Sequence, residues 1–120
     1  MTIADITKIV APLQASEGEQ VIIDVSIKNI SDVDKNLAVT GRADSTDITF
    51  QFTYLLVSPG QTLPMRGWFT MPAKNVKITA WGFYWSGTEW IHDDTATKDI
   101  SLVVLKPEFA DFGILQYNPI

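Results

Sequence analysis

At 120 residues the sequence is sized for one domain rather than two. With 46% hydrophobic and 19% charged residues it has the balance of a globular chain, which excludes disorder as the main state. Nine basic against fourteen acidic residues leave a net charge of −5, so there is no electrostatic footprint for nucleic acid or an anionic membrane. The absence of cysteine excludes disulfides, thiolate catalysis, iron–sulfur clusters and cysteine zinc sites together. A single histidine argues against a histidine-rich metal site or a Ser-His-Asp triad.

A secretory leader starts basic and continues as an apolar run. The opening Met1 to Lys8 carries one Asp and one Lys and is interrupted by polar residues. No apolar stretch approaches the roughly 18–20 residues of a spanning helix, so no membrane insertion is expected.

Ile3 to Val10 reads as an edge strand before Pro12. Val21, Ile23, Val25 and Ile27 alternate with Ile22, Asp24, Ser26 and Lys28, the period of a half-buried strand, and Asn29, Ser31 and Asp32 supply the stop. Leu37, Val39 and Gly41 alternate with Ala38, Thr40 and Arg42. The cleanest alternation sets Ile48, Phe50, Phe52 and Tyr54 against Thr49, Gln51 and Thr53, and predicts a strand over 48–54. Ser58-Pro59-Gly60-Gln61 is a turn, because proline fixes φ at one central position and glycine accepts positive φ at the next. Leu63, Met65, Gly67, Phe69 and Met71 share one face of the following strand, which Met71-Pro72 ends.

Val76, Ile78, Ala80 and Gly82 then face one way, and Lys77, Thr79, Trp81, Phe83 and Trp85 the other. Ser86-Gly87-Thr88 reads as a hairpin loop and Glu89 to His92 as a short returning strand. Ile100, Leu102 and Val104 alternate with Ser101, Val103 and Leu105 in the last strand, stopped by Lys106-Pro107. No segment carries the i, i+3, i+4, i+7 spacing of a helix. Seven or eight short strands with regular turn signals predict an all-β, antiparallel immunoglobulin-like sandwich over 1–105, with an antiparallel barrel as the alternative.

Residues 106–120 are expected to form an extended C-terminal arm carrying Phe109, Phe112, Ile114, Leu115, Tyr117 and Ile120. A disordered tail is poor in such residues, so the arm is expected to bury them on its own sandwich or on a neighbouring subunit.

The stretch Ala15-Ser16-Glu17-Gly18-Glu19-Gln20-Val21, followed by Val25-Ser26-Ile27-Lys28-Asn29-Ile30-Ser31, resembles the opening of CARDB-like immunoglobulin-type sandwich domains. Val57-Ser58-Pro59-Gly60-Gln61-Thr62 and Gly67-Trp68-Phe69-Thr70-Met71-Pro72 are similar to a later corner and strand of the same modules. The resemblance spans about residues 13–105. It implies a non-catalytic adhesion, spacer or appendage role at a cell surface or on a virion, after a cytoplasmic life before assembly. It supplies no catalytic motif. From the residues themselves, the Phe69 and Met71 face is expected to meet the Val/Ile face of the first long strand across the sandwich.

Asp93 and Asp94, with Glu89 and His92 nearby, are the only dense polar cluster; paired carboxylates suit acid–base chemistry or a hard cation. No calcium-loop spacing is present, and a solvated loop between two edge strands is the plainer reading. Asp44 and Asp47, beside Ser45 and Thr46, read first as turn formers. His92 is expected at an exposed strand end, with no Gly-x-Ser-x-Gly elbow to serve. Arg42 and Arg66 are the only arginines, and neither lies in a basic run.

Trp81, Phe83, Tyr84, Trp85 and Trp90 crowd into ten positions, with Trp68 before them. For Trp81 a place in the core leads; for Trp85 and Trp90, which flank the hairpin loop, core and solvent both stay open. Tyr84, Trp85 and Trp90 are the candidate ligand platform, for carbohydrate or a protein partner.

Three functions follow. The first is a structural module that assembles with itself or with another shell or appendage protein, as a capsid decoration, capsid or tail component of a virion. The second is an adhesion module using the exposed tryptophans and tyrosine. The third, a glycosidase pairing Glu89 with Asp93 or Asp94, needs a facing cleft that a sandwich of this size hardly holds. No enzyme activity and no cofactor are expected.

Overall fold

A computed structural model describes residues 2–104, and within them the alternating segments become ten strands and no helix. They are β1 (Ala4–Val10), β2 (Gln14–Ser16), β3 (Gln20–Asn29), β4 (Lys35–Ala43), β5 (Thr46–Asp47), β6 (Thr49–Phe50), β7 (Leu55–Val57), β8 (Thr62–Thr70), β9 (Val76–Trp85) and β10 (Trp90–Val103). The first sheet has the order β1-β3-β8-β6, and the second β2-β10-β9-β4-β5 with β7 also on β4. Every pairing is antiparallel except that of β2 with β10. The two separate sheets make this a sandwich rather than a barrel, and the count exceeds the expected seven or eight because three short strands, β5 to β7, replace one predicted strand and β2 is added, while the last two expected strands merge into β10. The arm, residues 106–120, lies outside the described residues.

The core is built from the period-two faces. Val21, Ile23, Val25 and Ile27 of β3 are buried against Leu37 and Val39 of β4 and Val76, Ile78 and Ala80 of β9. Burying each such side chain contributes about 1.5–3 kcal/mol. The expectation that Phe69 faces β3 across the sandwich is corrected. β8 lies beside β3 in the same sheet, with Phe69 opposite Val21 and Met65 opposite Val25. The chain between them, β4 to β7, crosses to the second sheet and returns, so β8 comes back alongside β3.

The predicted strand over 48–54 is also corrected. The chain leaves the second sheet after β5, pairs with β8 of the first sheet through β6, and returns to β4 through β7. Its alternation is used to plug the open side of the sandwich. Gly41 and Gly67 turn toward the interior from opposite sheets, and Ile48 and Phe50 fill the space a side chain there would need. A Cβ on Gly67 would stand 2.9 Å from both Ile48 and Phe50, and one on Gly41 would stand 3.4 Å from Ile48. Ile48 is buried, Phe50 half-buried, and Phe52 and Tyr54 are exposed beyond the plug.

The two strands expected over Glu89–His92 and 100–105 are joined in one continuous strand, β10, which runs from Trp90 to Val103. His92 pairs with Phe83 and Asp94 with Gly82, which leaves Asp93 as the extra residue of a bulge. The expected solvated loop at Asp93 and Asp94 is therefore part of the sheet. Its carboxylates serve the unpaired side of the edge strand β1. Asp93 accepts the N–H groups of Thr2, Ile3 and Ala4 at 3.0, 2.8 and 2.7 Å, and Asp94 accepts that of Ile6 at 2.8 Å. These four donors tie the first sheet to the second.

At the same end of the sandwich, opposite Ala4 in the ladder, Asn29 is fully buried and fully paired. Its Nδ2 donates to the Val33 and Val57 carbonyls, both at 2.8 Å, and its Oδ1 accepts from the Ser31 N–H at 2.9 Å and the Ser31 hydroxyl at 2.7 Å. The turn that follows at Ser58–Gln61 closes with the Gln61 N–H on the Ser58 carbonyl at 3.0 Å.

Candidate functional site

The outer face of the second sheet gathers the aromatic residues in cross-strand rows. Reading from β10 through β9 to β4, one row is Trp90, Trp85 and Asn36; the next is His92, Phe83 and Ala38; the third is Thr95, Trp81 and Thr40. Thr97, Thr79 and Arg42 follow, with Asp47 of β5 beyond Arg42. Residues Ala38 to Gly41 of β4 have no strand on their far side, because β5 and β7 occupy only the two ends of β4. Phe52 and Thr53 stand beyond this open edge.

Two clefts lie on this face. The larger, about 680 Å³, has Trp81 and Phe83 on its floor with Thr40, Arg42 and Asp47 at one end, His92 at the other, and Phe50 and Phe52 as its wall. The smaller, about 210 Å³, lies between Asn36, Tyr54, Trp85 and Trp90.

The Trp85 and Trp90 rings meet edge to face with centroids 5.3 Å apart, and Tyr54 lies 5.8 Å from Trp90. This is the geometry favoured by ring quadrupoles. Phe83 and His92 are 5.5 Å apart. His92 Nε2 is engaged by the Asp94 carbonyl at 3.1 Å and the Thr95 hydroxyl at 2.8 Å. Nδ1 is left without a protein partner among the described residues.

Arg42 Nε donates to Asp47 Oδ1 at 2.9 Å, which leaves the two terminal amino groups of Arg42 and Asp47 Oδ2 without a protein partner among the described residues. Arg66 is bound on the opposite sheet, with two 3.1 Å bonds to Asp24.

The placement divides the residues singled out from the sequence. Trp85 and Trp90 come together, joined by Tyr54. Tyr84 is on the other side of β9, half-buried against the core, with the Lys35 ammonium 5.9 Å from its ring centroid. Successive residues of a strand point to opposite faces, so Tyr84 and Trp85 do not form one platform. Trp81 is corrected from core to outer face, since the inner face of β9 is taken by Val76, Ile78 and Ala80. The arm residues Phe109, Phe112, Ile114, Leu115, Tyr117 and Ile120 lie outside the described residues. Tyr54, Phe52 and the Arg42–Asp47 pair were not linked to this surface by the sequence, because their approach depends on the excursion between β5 and β7.

The carboxylate cluster does not assemble into an acid–base pair. Glu89 sits exposed in the hairpin loop, where its N–H bonds the Ser86 hydroxyl, and His92 turns to the outer face. Partial burial pushes the Asp93 carboxyl up but is outweighed by the N–H groups of Ile3, Ala4 and Thr2 and by the Thr2 hydroxyl, so it is held below the usual range. Asp44, in the turn after β4, is held low by the Lys77 N–H first and then by Lys74. Among the described residues no group of three or more His, Asp or Glu side chains is placed to hold a metal ion.

No protein-family model matches the sequence, and no curated protein matches it. The fold is similar to the CARDB domain of a Pyrococcus furiosus protein solved in complex with di-metal ions. That likeness has a TM-score of 0.63 at 16% identity, over 88% of this chain and 98% of the other. It is also similar to a FixG-related protein from Vibrio parahaemolyticus, with a TM-score of 0.60 at 10% identity, over 87% of this chain and 100% of the other. The chain thus has the CARDB-like β-sandwich fold that its sequence resembles.

Proposed function

We propose that the chain is a non-catalytic assembly module that docks on a second copy of itself through the outer aromatic face around Trp90. The observation that carries this reading is the uncovered apolar patch of that face: Leu56 is 61% exposed, Tyr54 52%, Phe52 46% and Trp90 38%. Contiguous apolar side chains left in water mark interaction surfaces. The row Trp90, Trp85, Asn36 carries no charge, and charge is depleted at the centre of homodimer interfaces. A structural role in a virion, as capsid decoration, capsid or tail component, or in a surface appendage, is the finer part of the proposal. The CARDB-like fold and the acidic, cysteine-free sequence support it.

The test is solution mass by light scattering over a range of concentrations. The wild type is expected above the 13.4 kDa of one chain, and Leu56→Asp with Trp90→Asp is expected at that mass while still folded, its melting temperature lowered no further than the loss of the Trp90 ring contacts requires. A wild type that stays monomeric throughout would overturn the reading. The apolar content of 106–120 favours a second reading, in which the arm makes the contact. A chain ending at 105 that loses assembly, while the doubly substituted chain keeps it, would select the arm.

A further inference from the structure

We infer that the larger cleft, which shares only Phe52 with the patch around Trp90, is a binding site for a neutral saccharide. Three features of the cleft point to this class. Its floor is aromatic: Trp81 and Phe83 are alternate residues of β9 and therefore lie about 7 Å apart along the strand, presenting two ring systems side by side on the same face. That spacing suits two adjacent pyranose units, whose apolar C–H faces pack on aromatic rings.

The rim carries both donors and acceptors. Arg42 offers its terminal amino groups, Asp47 its Oδ2, Thr40 a hydroxyl, and His92 its Nδ1. A sugar hydroxyl donates and accepts at once, so it satisfies both kinds of group, whereas a hydrocarbon ligand would leave all of them unpaired at a cost.

The charge is balanced where the cleft is polar. Arg42 is already matched by Asp47 at 2.9 Å, so there is no surplus cation to hold a phosphate, sulfate or carboxylate. The volume of about 680 Å³ falls inside the range of roughly 300–1,000 Å³ typical of small-molecule sites.

The site is built by the fold rather than by chance exposure. The floor belongs to a central strand, the His92 ring is held by two bonds to β10, and at the polar end the exposed Arg42 and Asp47 side chains pair at 2.9 Å. Rigid elements of this kind hold binding groups in place with little loss of freedom on binding.

The test is titration of the purified chain with maltotetraose, cellotetraose and chitotetraose, followed by tryptophan fluorescence, together with an array of neutral and anionic glycans. At least one neutral glycan is expected to bind. Trp81→Ala is expected to weaken it by about tenfold or more, and Asp47→Asn to weaken it as well. Trp68→Ala, on the outer face of the other sheet, is expected to leave binding unchanged. Should Trp81→Ala fail to fold, Phe83→Ala and Asp47→Asn carry the test. No binding of any neutral glycan, binding of anionic glycans alone, or binding indifferent to these cleft substitutions would overturn the inference. Repeating the titration on Leu56→Asp reads saccharide binding apart from assembly, so that either proposal can fail alone.

Discussion

The carboxylate of Asp93 accepts the backbone N–H of Ala4 at 2.7 Å, across the boundary between the two sheets. The same oxygen, Oδ2, also accepts the Ile3 N–H, and Asp94 takes the next inward donor, that of Ile6. An edge strand ordinarily leaves such donors to water. Here two acidic residues at a bulge of the opposite sheet hold them.

Replacing Asp93 by alanine is therefore expected to cost about 2–3 kcal/mol, the loss of charge-assisted bonds to partly buried donors. A urea midpoint lowered with the slope unchanged would show this. Exchange protection of the Ile3 and Ala4 amides should fall more than that of β9.

The same contact sets an acid limit. The Asp93 carboxyl is held below its ordinary value of 3.8, so its contribution is fully present above that value and is lost as pH falls through the folded-state pKa. The stability difference between wild type and Asp93→Asn, measured by urea unfolding, is expected to be constant from neutral pH down to about pH 5 and to shrink below pH 4. A difference independent of pH down to 2 would contradict this.

Asn29 uses its whole hydrogen-bonding capacity in the interior. Asn29→Ala leaves the Val57 carbonyl without a partner at a buried site and is expected to cost about 2–4 kcal/mol, while Asn29→Asp exchanges two donors for acceptors facing carbonyls and should cost at least as much. Thermal unfolding of the two variants checks the order.

Gly67→Ala places a methyl 2.9 Å from Ile48 and Phe50. Overpacking of this kind typically costs about 1–3 kcal/mol. Combining it with Phe50→Leu should recover part of the loss, a coupling that a double-mutant cycle measures directly.

The Trp85–Trp90 pair should be visible without a ligand. Edge-to-face rings coupled at 5.3 Å give an exciton signature in circular dichroism, expected to vanish in either Trp85→Ala or Trp90→Ala. The loss of the ring contact itself is worth about 0.5–1.5 kcal/mol.

The period-two faces of β3, β8 and β9 were readable because each serves one sheet along its whole length. Val21 to Ile27 and Val76 to Gly82 face the core as their alternation predicts. The alternation from Ile48 to Tyr54 is equally regular but is divided between two sheets and the solvent, and nothing local distinguishes an edge plug from a strand. Asp93 and Asp94 interrupt β10 in the sequence because their partners are the N–H groups of β1 and of the two residues before it, 88 to 91 positions away. The assignment of Trp81 to the outer face was available from its parity with Phe83 and Trp85. What parity does not supply is the far wall of the cleft, which comes from Phe50 and Phe52 on the excursion.

That excursion has a consequence for how the cleft is encoded. Between the pairs Arg42–Asp47 and Leu37–Leu55, β4 contributes four residues (38–41) and the facing segment seven (48–54), so three residues are surplus to a continuous ladder. The open edge is thus a matter of chain length more than of residue type. Lengthening the segment beyond Phe50 would deepen the wall and keep the Ile48 and Phe50 plug, whereas shortening it by three would draw that plug out of the interior. The exposed stretch 51–54 therefore acts as the dial on the size of the cleft, and related chains that differ there in length would present differently shaped surfaces on the same framework.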